Sequence, residues 1–398
     1  MTFLSNRINS LSESATLMMT KLGRELAAKG INVISLSIGE PDFNTPDHVK
    51  EAAKKALDEN WTHYSPVAGY PELRQAIVNK LKRENNLDYD ISQIVVSTGA
   101  KQSLSNAILT LVNPGEEVII PTPYWVSYSE MVVLAEGKAV FIDTTIESDF
   151  KITPAQLEAA ITPKTKLFMF SSPCNPTGSV YSREELAGLV EVFERHPQVF
   201  ILSDEIYEHI NFVGKHVSIA EFKSIKERVI IINGFSKAFA MTGWRLGYIA
   251  ASKELAAANE KMQGQTTSGT SSISQRAGIA AYEQGLESVL EMKKAFARRR
   301  ELVYNLLNDI PGVKTNLPDG AFYFFPEISS FFGKKDTNGN VIKDSADLAL
   351  YLLNVGHVAT VGGDSFGNNN YIRISYAASD ESLIEALKRI KEVLAQLS

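Results

Sequence analysis

The chain has 398 residues, 44% hydrophobic and 22% charged, enough for one large core and a second, smaller one. Its net charge of −6, with no basic block, excludes a surface that follows a phosphate backbone, so no nucleic acid partner is expected. A single cysteine, Cys174, excludes an internal disulfide and a Cys-rich zinc site, and no metal is expected; with no charged-then-apolar leader in MTFLSNRINSLSES and no run of about 18 apolar residues, a cytoplasmic protein without membrane attachment is expected.

In chain order, the first 45 residues end in a turn-rich hinge, GEPDFNTP, contain no strand-helix-strand pattern, and are expected to pack against the C-terminal part. Short β-branched runs then alternate with longer amphipathic stretches: IVVS at 94–97, EVIIP at 117–121, KLFMFSS at 166–172, VFILS at 199–203 and VIII at 229–232. Continuous apolar runs of this kind read as strands covered on both faces, hence an α/β fold with a mainly parallel sheet sandwiched by helices. After about residue 285 the texture changes to a charged helical pattern, EMKKAFARRRELVYNLLND, then an alternating strand, GAFYFFPEI, a charged surface excursion, FFGKKDTNGNVIKDS, and a closing helix, DESLIEALKRIKEVLAQL. The expected organisation is an N-terminal arm with part of the small domain (1–46), a large α/β domain (47–288) and a small C-terminal α+β domain (289–398).

Ligands of open α/β sheets bind beyond the carboxyl ends of the strands. Three successive predicted strands there deliver a polar residue: Asn175 after KLFMFSSP, Asp204 after VFILS, and Lys237 after VIII. A fourth, followed by STGAKQ, turns tightly at Gly99, and Ala100 and Lys101 open a helix whose free N–H groups form an anion site. Ser236 and Arg245 flank Lys237, and the arginine fork matches a phosphate. A lysine amine condenses with an aldehyde, and a carboxylate keeps a pyridine nitrogen protonated so that the ring draws electrons. The combination reads as a pyridoxal 5′-phosphate site, with Lys237 on the aldehyde, Asp204 on the ring nitrogen, and the Gly99 turn, Ser236 and Arg245 on the phosphate.

These residues resemble the fold type I pyridoxal-phosphate aminotransferases, and within them the class I aspartate aminotransferase group. The resemblance spans nearly the whole chain: GEPDF at 39–43, YSPVAGYPELR at 64–74, TGAKQ at 98–102, PTPYWVSY at 121–128, NPTG at 175–178, SDEIYEHI at 203–210, SKAFAMTGWRLGY at 236–248 and YIRISYA at 371–377. It implies that Lys237 carries the cofactor, that Asp204 partners the ring nitrogen, and that Tyr207 and Asn175 donate to the ring's phenolic oxygen. Trp125 would stack on the ring, Arg373 take the substrate α-carboxylate, and Gly39 offer a backbone contact to the same group. Tyr64 would reach the phosphate of a neighbouring subunit, which implies a homodimer with shared sites. The activity implied is amino transfer between L-aspartate and 2-oxoglutarate, giving oxaloacetate and L-glutamate.

Two departures stand out. The arginine that holds the substrate's distal carboxylate in the branch including animal enzymes has no counterpart in QGQTTSGTSSISQ, and the bacterial branch implies Lys101 in its place, helped by Ser14 and Thr16. VGGDSFG, where in the family a proline usually precedes the second glycine, predicts a more mobile loop. Prephenate, aromatic or alanine specificity and another reaction such as a β-lyase remain open on the same scaffold. A regulator's effector-sensing domain is disfavoured, because the N-terminal segment holds no basic recognition helix.

Overall fold

A computed structural model describes residues 3–398. After the short β1 (Ile34–Ser35), the strands β2 (Ile94–Ser97), β3 (Glu117–Pro121), β4 (Lys138–Ile142), β5 (Thr165–Ser171), β6 (Phe200–Asp204), β7 (Val229–Gly234) and β8 (Gly247–Ala250) follow along the chain. All but β1 form one sheet, in the spatial order β2-β8-β7-β6-β5-β3-β4. Neighbours are parallel except where β8 intervenes, antiparallel to both β2 and β7.

Strand alternation feeds two cores. Val96, Ile119, Phe168, Ile201 and Ile231 face one, under helices Pro71–Asn85 and Arg183–Arg195; Val95, Val118, Leu167, Leu202 and Ile230 face the other, under helices Ala100–Leu111 and Lys253–Gly264. Burial on both faces is why these strands read as unbroken apolar runs.

The C-terminal part has a core of its own, built on helix Glu287–Asn308, on β9 (Tyr323–Phe324), β10 (Val358–Ala359), β11 (Val361–Gly362) and β12 (Ile372–Ser375), and on helix Asp380–Leu394. β12 lies between β11 and β9, antiparallel to each, while β1 pairs in parallel with β10 and so brings the N-terminal segment onto this part. Among the described residues no helix is long and apolar enough to cross a membrane.

Two expectations need correction. GAFYFFPEI is not an alternating strand: only Tyr323–Phe324 pairs as β9, and Ala321 to Phe325 are all buried. The segment is covered on both sides, with Phe322 packing on Phe296 at 5.2 Å, Phe325 stacked on Tyr371 at 5.0 Å, and Tyr323 facing a cavity. The VGGDSFG loop is not loose either. Gly363 N–H donates to the Tyr371 carbonyl (2.8 Å), Ser345 Oγ bonds Asp364 Oδ1 (3.0 Å), Tyr124 N–H donates to the Phe366 carbonyl (3.0 Å), and Phe366 is buried.

Candidate active site

Strands β5, β6 and β7 are neighbours in the sheet, so the polar groups at their ends meet around one cavity of about 270 Å³. Asp204, the last residue of β6, is buried there; Tyr128 O–H donates to its Oδ2 (2.7 Å) and Ile206 N–H to its Oδ1 (3.2 Å). Burial pushes its carboxyl up to about 6, and the two donated hydrogen bonds pull the other way. Lys237 follows β7, and its amine donates to the Gly39 carbonyl (2.6 Å). Burial brings that amine down from 10.5 to about 8, with Arg373 and Arg245 adding to the effect and Glu40 opposing it. An acid and an amine facing one cavity are thus both drawn toward their neutral forms.

Arg373, central in β12, is buried rather than solvent-facing. One guanidinium nitrogen donates to Asn175 Oδ1 (3.0 Å) and another to the Ser37 carbonyl (2.6 Å), while Nε is buried without a partner among the described residues. The rings of Tyr323 and Phe366 lie 4.7 and 4.9 Å from the guanidinium carbon. Tyr207, also at the cavity, shares a 2.7 Å hydrogen bond between hydroxyls with Tyr323, and burial raises its phenol well above the usual range.

The opposite wall is the start of helix Ala100–Leu111. Gly99 precedes it at φ +79°, and a Cβ there would stand 2.4 Å from Arg245 Nη2, so the missing side chain admits the guanidinium against the turn. Arg245 also donates to the Thr242 carbonyl (2.9 Å), and Ser236, Ala100 and Arg245 all line the cavity. Lys101, in the helix's first turn, is exposed, with its amine 4.8 Å above the Trp125 ring. Ser14 and Thr16, at the start of helix Ala15–Ala28, complete the rim.

The structure therefore gathers every residue anticipated for the site except Tyr64, which is fully exposed on the surface and away from this cavity. It adds Tyr128 and Tyr323, which sequence reasoning passed over. Tyr128 was signalled by its spacing, three residues after Trp125 at the opening of a helix, whereas Tyr323 lay hidden in an apolar run. Thr242 and Glu40, bonded to each other at 2.8 Å, were also missed; they tie the hinge to the loop after Lys237.

Residues 31–390 match the family model described as aminotransferase class I and II. The chain is 48% identical to an aspartate/prephenate aminotransferase of Cereibacter sphaeroides over the full length of both, and 48% identical to a bifunctional aspartate aminotransferase and glutamate/aspartate-prephenate aminotransferase of Petunia hybrida, covering 99% of this chain and 83% of that one. Among solved structures, the aspartate aminotransferase of Rhizobium meliloti superposes with a TM-score of 0.96 at 44% identity, covering all of both chains. That of Thermus thermophilus with maleate superposes with a TM-score of 0.93 at 39% identity, covering 99% of this chain and all of the other. With a cavity where a lysine, a carboxylate and an arginine-backed helix start converge, and with this likeness along its whole length, the chain belongs to the aminotransferase class I and II family.

Proposed function

We propose that the protein moves an amino group between L-aspartate and 2-oxoglutarate, with pyridoxal 5′-phosphate as cofactor. The observation that carries the acidic-substrate reading is that one cavity holds two separate cations suited to carboxylates, the buried Arg373 and the exposed Lys101. The relatives' names and the maleate, a dicarboxylate, of the Thermus thermophilus structure support it.

The residues present fit the cofactor. The turn at Gly99 leaves room for Arg245 beside free N–H groups, a seat for phosphate, and among the described residues no cation bonds the buried Asp204 carboxylate, a partner that a protonated ring nitrogen would supply. Bound there, pyridoxal phosphate supplies an aldehyde for amines and a ring that draws electrons from the substrate. Gly99, Ala100, Ser236, Arg245 and Lys101 would hold the phosphate end, joined by Tyr64 of a second subunit. Asp204 would hold the ring nitrogen, Tyr207 and Asn175 the phenolic oxygen, and Trp125 the ring face.

Lys237 then has two tasks, attachment and proton transfer. A lowered amine pKa would leave Nζ able to take a proton from the substrate Cα near neutral pH and to deliver it to the cofactor carbon that carried the aldehyde. Arg373 and the backbone N–H of Gly39 would hold the α-carboxylate; Lys101, Ser14 and Thr16 take the distal carboxylate. Lys101 is a point charge rather than a fork, so discrimination among acidic substrates is loose. We also assign the protein to the cytoplasm as a homodimer, divided into 1–46, 47–288 and 289–398; the second boundary falls in the first turn of helix Glu287–Asn308.

The test is a panel of amino donors and oxo acids, prephenate included because several relatives carry that word in their names, assayed on the wild type and on Lys101→Ala. Wild type with aspartate and 2-oxoglutarate should yield oxaloacetate; alanine or fumarate instead would refute transamination. Loss of one charge-assisted contact costs roughly 2 to 4 kcal/mol, about thirtyfold to a thousandfold in kcat/KM. Lys101→Ala should lose that much on aspartate and glutamate and little on alanine or phenylalanine, and an equal loss on all four would assign Lys101 to the cofactor alone.

A further inference from the structure

Behind the site, away from the cavity, lies a fully buried ionic node. The turn after β6 has two faces. Asp204 and Tyr207 point to the cavity, whereas Glu205 and Glu208 point into the protein. Glu208 Oε1 accepts from Lys80 Nζ and from Asn233 Nδ2 (2.7 Å), and its Oε2 accepts from Asn85 Nδ2 (2.8 Å); Lys80 in turn donates to Asn85 Oδ1 (2.8 Å). Lys80 has no exposed surface, and Glu208 is nearly as enclosed. Burial alone would raise the Glu208 carboxyl, but the charges of Lys80, His209 and His216 outweigh it and hold it well below the usual carboxylate range. Glu205, Glu208 and His216 lie close enough together to bind a cation, yet Lys80 already supplies one and both Glu208 oxygens are taken.

The node joins three chain segments. Lys80 and Asn85 sit on helix Pro71–Asn85, which follows the stretch bearing Tyr64; Glu208 adjoins Tyr207; Asn233 lies in β7, four residues before Lys237, and accepts from Gly234 N–H (2.7 Å). A buried ion pair is poor evidence of net stability, since desolvation offsets most of the attraction, but its hydrogen bonds allow only one arrangement of the parts. We propose that Lys80 and Glu208 are positioning residues that lock Tyr207 and the Lys237 loop in register with each other. The inference rests on the reading of Tyr207 and Lys237 as cofactor contacts.

The double variant Lys80→Met with Glu208→Gln removes both charges with little change of volume. Loaded with pyridoxal phosphate, it should show a pH midpoint of the cofactor's visible band moved by about half a unit or more, and a dissociation constant raised about tenfold, while the cofactor-free protein melts no lower than wild type. Unchanged midpoint and affinity overturn the proposal, as does a lowered melting temperature with both cofactor readings intact. Should the double variant not fold, Asn233→Ser cuts only the tie to β7 and is judged by the same two readings. A wild-type protein that shows no visible band with the cofactor would instead overturn the cofactor reading itself.

Discussion

Asp204 is a costly side chain for the empty protein. Its carboxyl stands near 6 in the fold against 3.8 in an unfolded chain, so the folded state binds more protons between those values, and wild-type stability falls as pH rises through them. Asparagine has no such charge to bury. Cofactor-free Asp204→Asn should therefore melt above wild type at about pH 7.5, by at most about 3 kcal/mol of stability, and the gap should close below about pH 4. The same change should weaken cofactor binding about tenfold to a hundredfold, the worth of a charge-assisted hydrogen bond. Calorimetry across pH and a cofactor titration check both signs, and a variant less stable at every pH would contradict the burial argument. Asp204 and Lys237 were readable from sequence because chemistry dictated their types and strand ends their places. Tyr128 offered only its spacing from Trp125, and Tyr323 offered nothing, because their roles come from packing: each meets its partner, Asp204 or Tyr207, across 76 or 116 residues of chain.

The elements that were plain in the sequence are those with one environment throughout. β5, β6 and β7 are buried from end to end or nearly so, and their apolar runs predict them to within a residue or two. β4 went unread because it is an edge strand whose residues range from exposed to buried, and β8 because its GYIA closes a stretch dominated by motif residues. Yet β8 sets the geometry of the site. It faces β7 glycine to glycine, Gly247 opposite Gly234, and a Cβ on Gly247 would stand 2.3 Å from the Ala100 nitrogen, a backbone atom that cannot swing aside. That contact fixes the helix start proposed to face the phosphate against the strand pair leading to and from Lys237. Gly247→Ala should cost about 1 to 3 kcal/mol of stability and weaken cofactor binding, as overpacking does when backbone must move. Gly23→Ala, whose new Cβ would meet Val33 at an ordinary 3.7 Å, is the control. Equal melting temperatures and affinities for the two variants would mean that the close approach at Gly247 has no consequence for the site.

For the molecule as a whole, the surface poses a question that one chain does not answer. Phe3 and Leu17 on the N-terminal segment are 97% and 70% exposed, and Tyr64, anticipated as a phosphate contact, is fully exposed and far from lining its own cavity. Both fit the proposed homodimer, in which a second copy of the chain would cover the apolar side chains and receive Tyr64 at its phosphate end. Hybrids of Tyr64→Phe and Lys237→Ala chains separate the possibilities. In such a hybrid the one lysine-bearing site belongs to the Tyr64→Phe chain. If the tyrosine acts across the interface, that site is completed by the partner's Tyr64 and should bind pyridoxal phosphate as tightly as wild type. If it acts within its own chain, the site lacks it. The Tyr64→Phe homodimer should bind about tenfold to a hundredfold more weakly, having lost a hydrogen bond to a charged group. Differently tagged chains allow the hybrid to be isolated, and the visible band counts occupied lysine-bearing sites. Hybrid affinity equal to that of the Tyr64→Phe homodimer would remove Tyr64 from the partner's site, and a wild-type protein that sediments as a monomer would remove the shared site altogether.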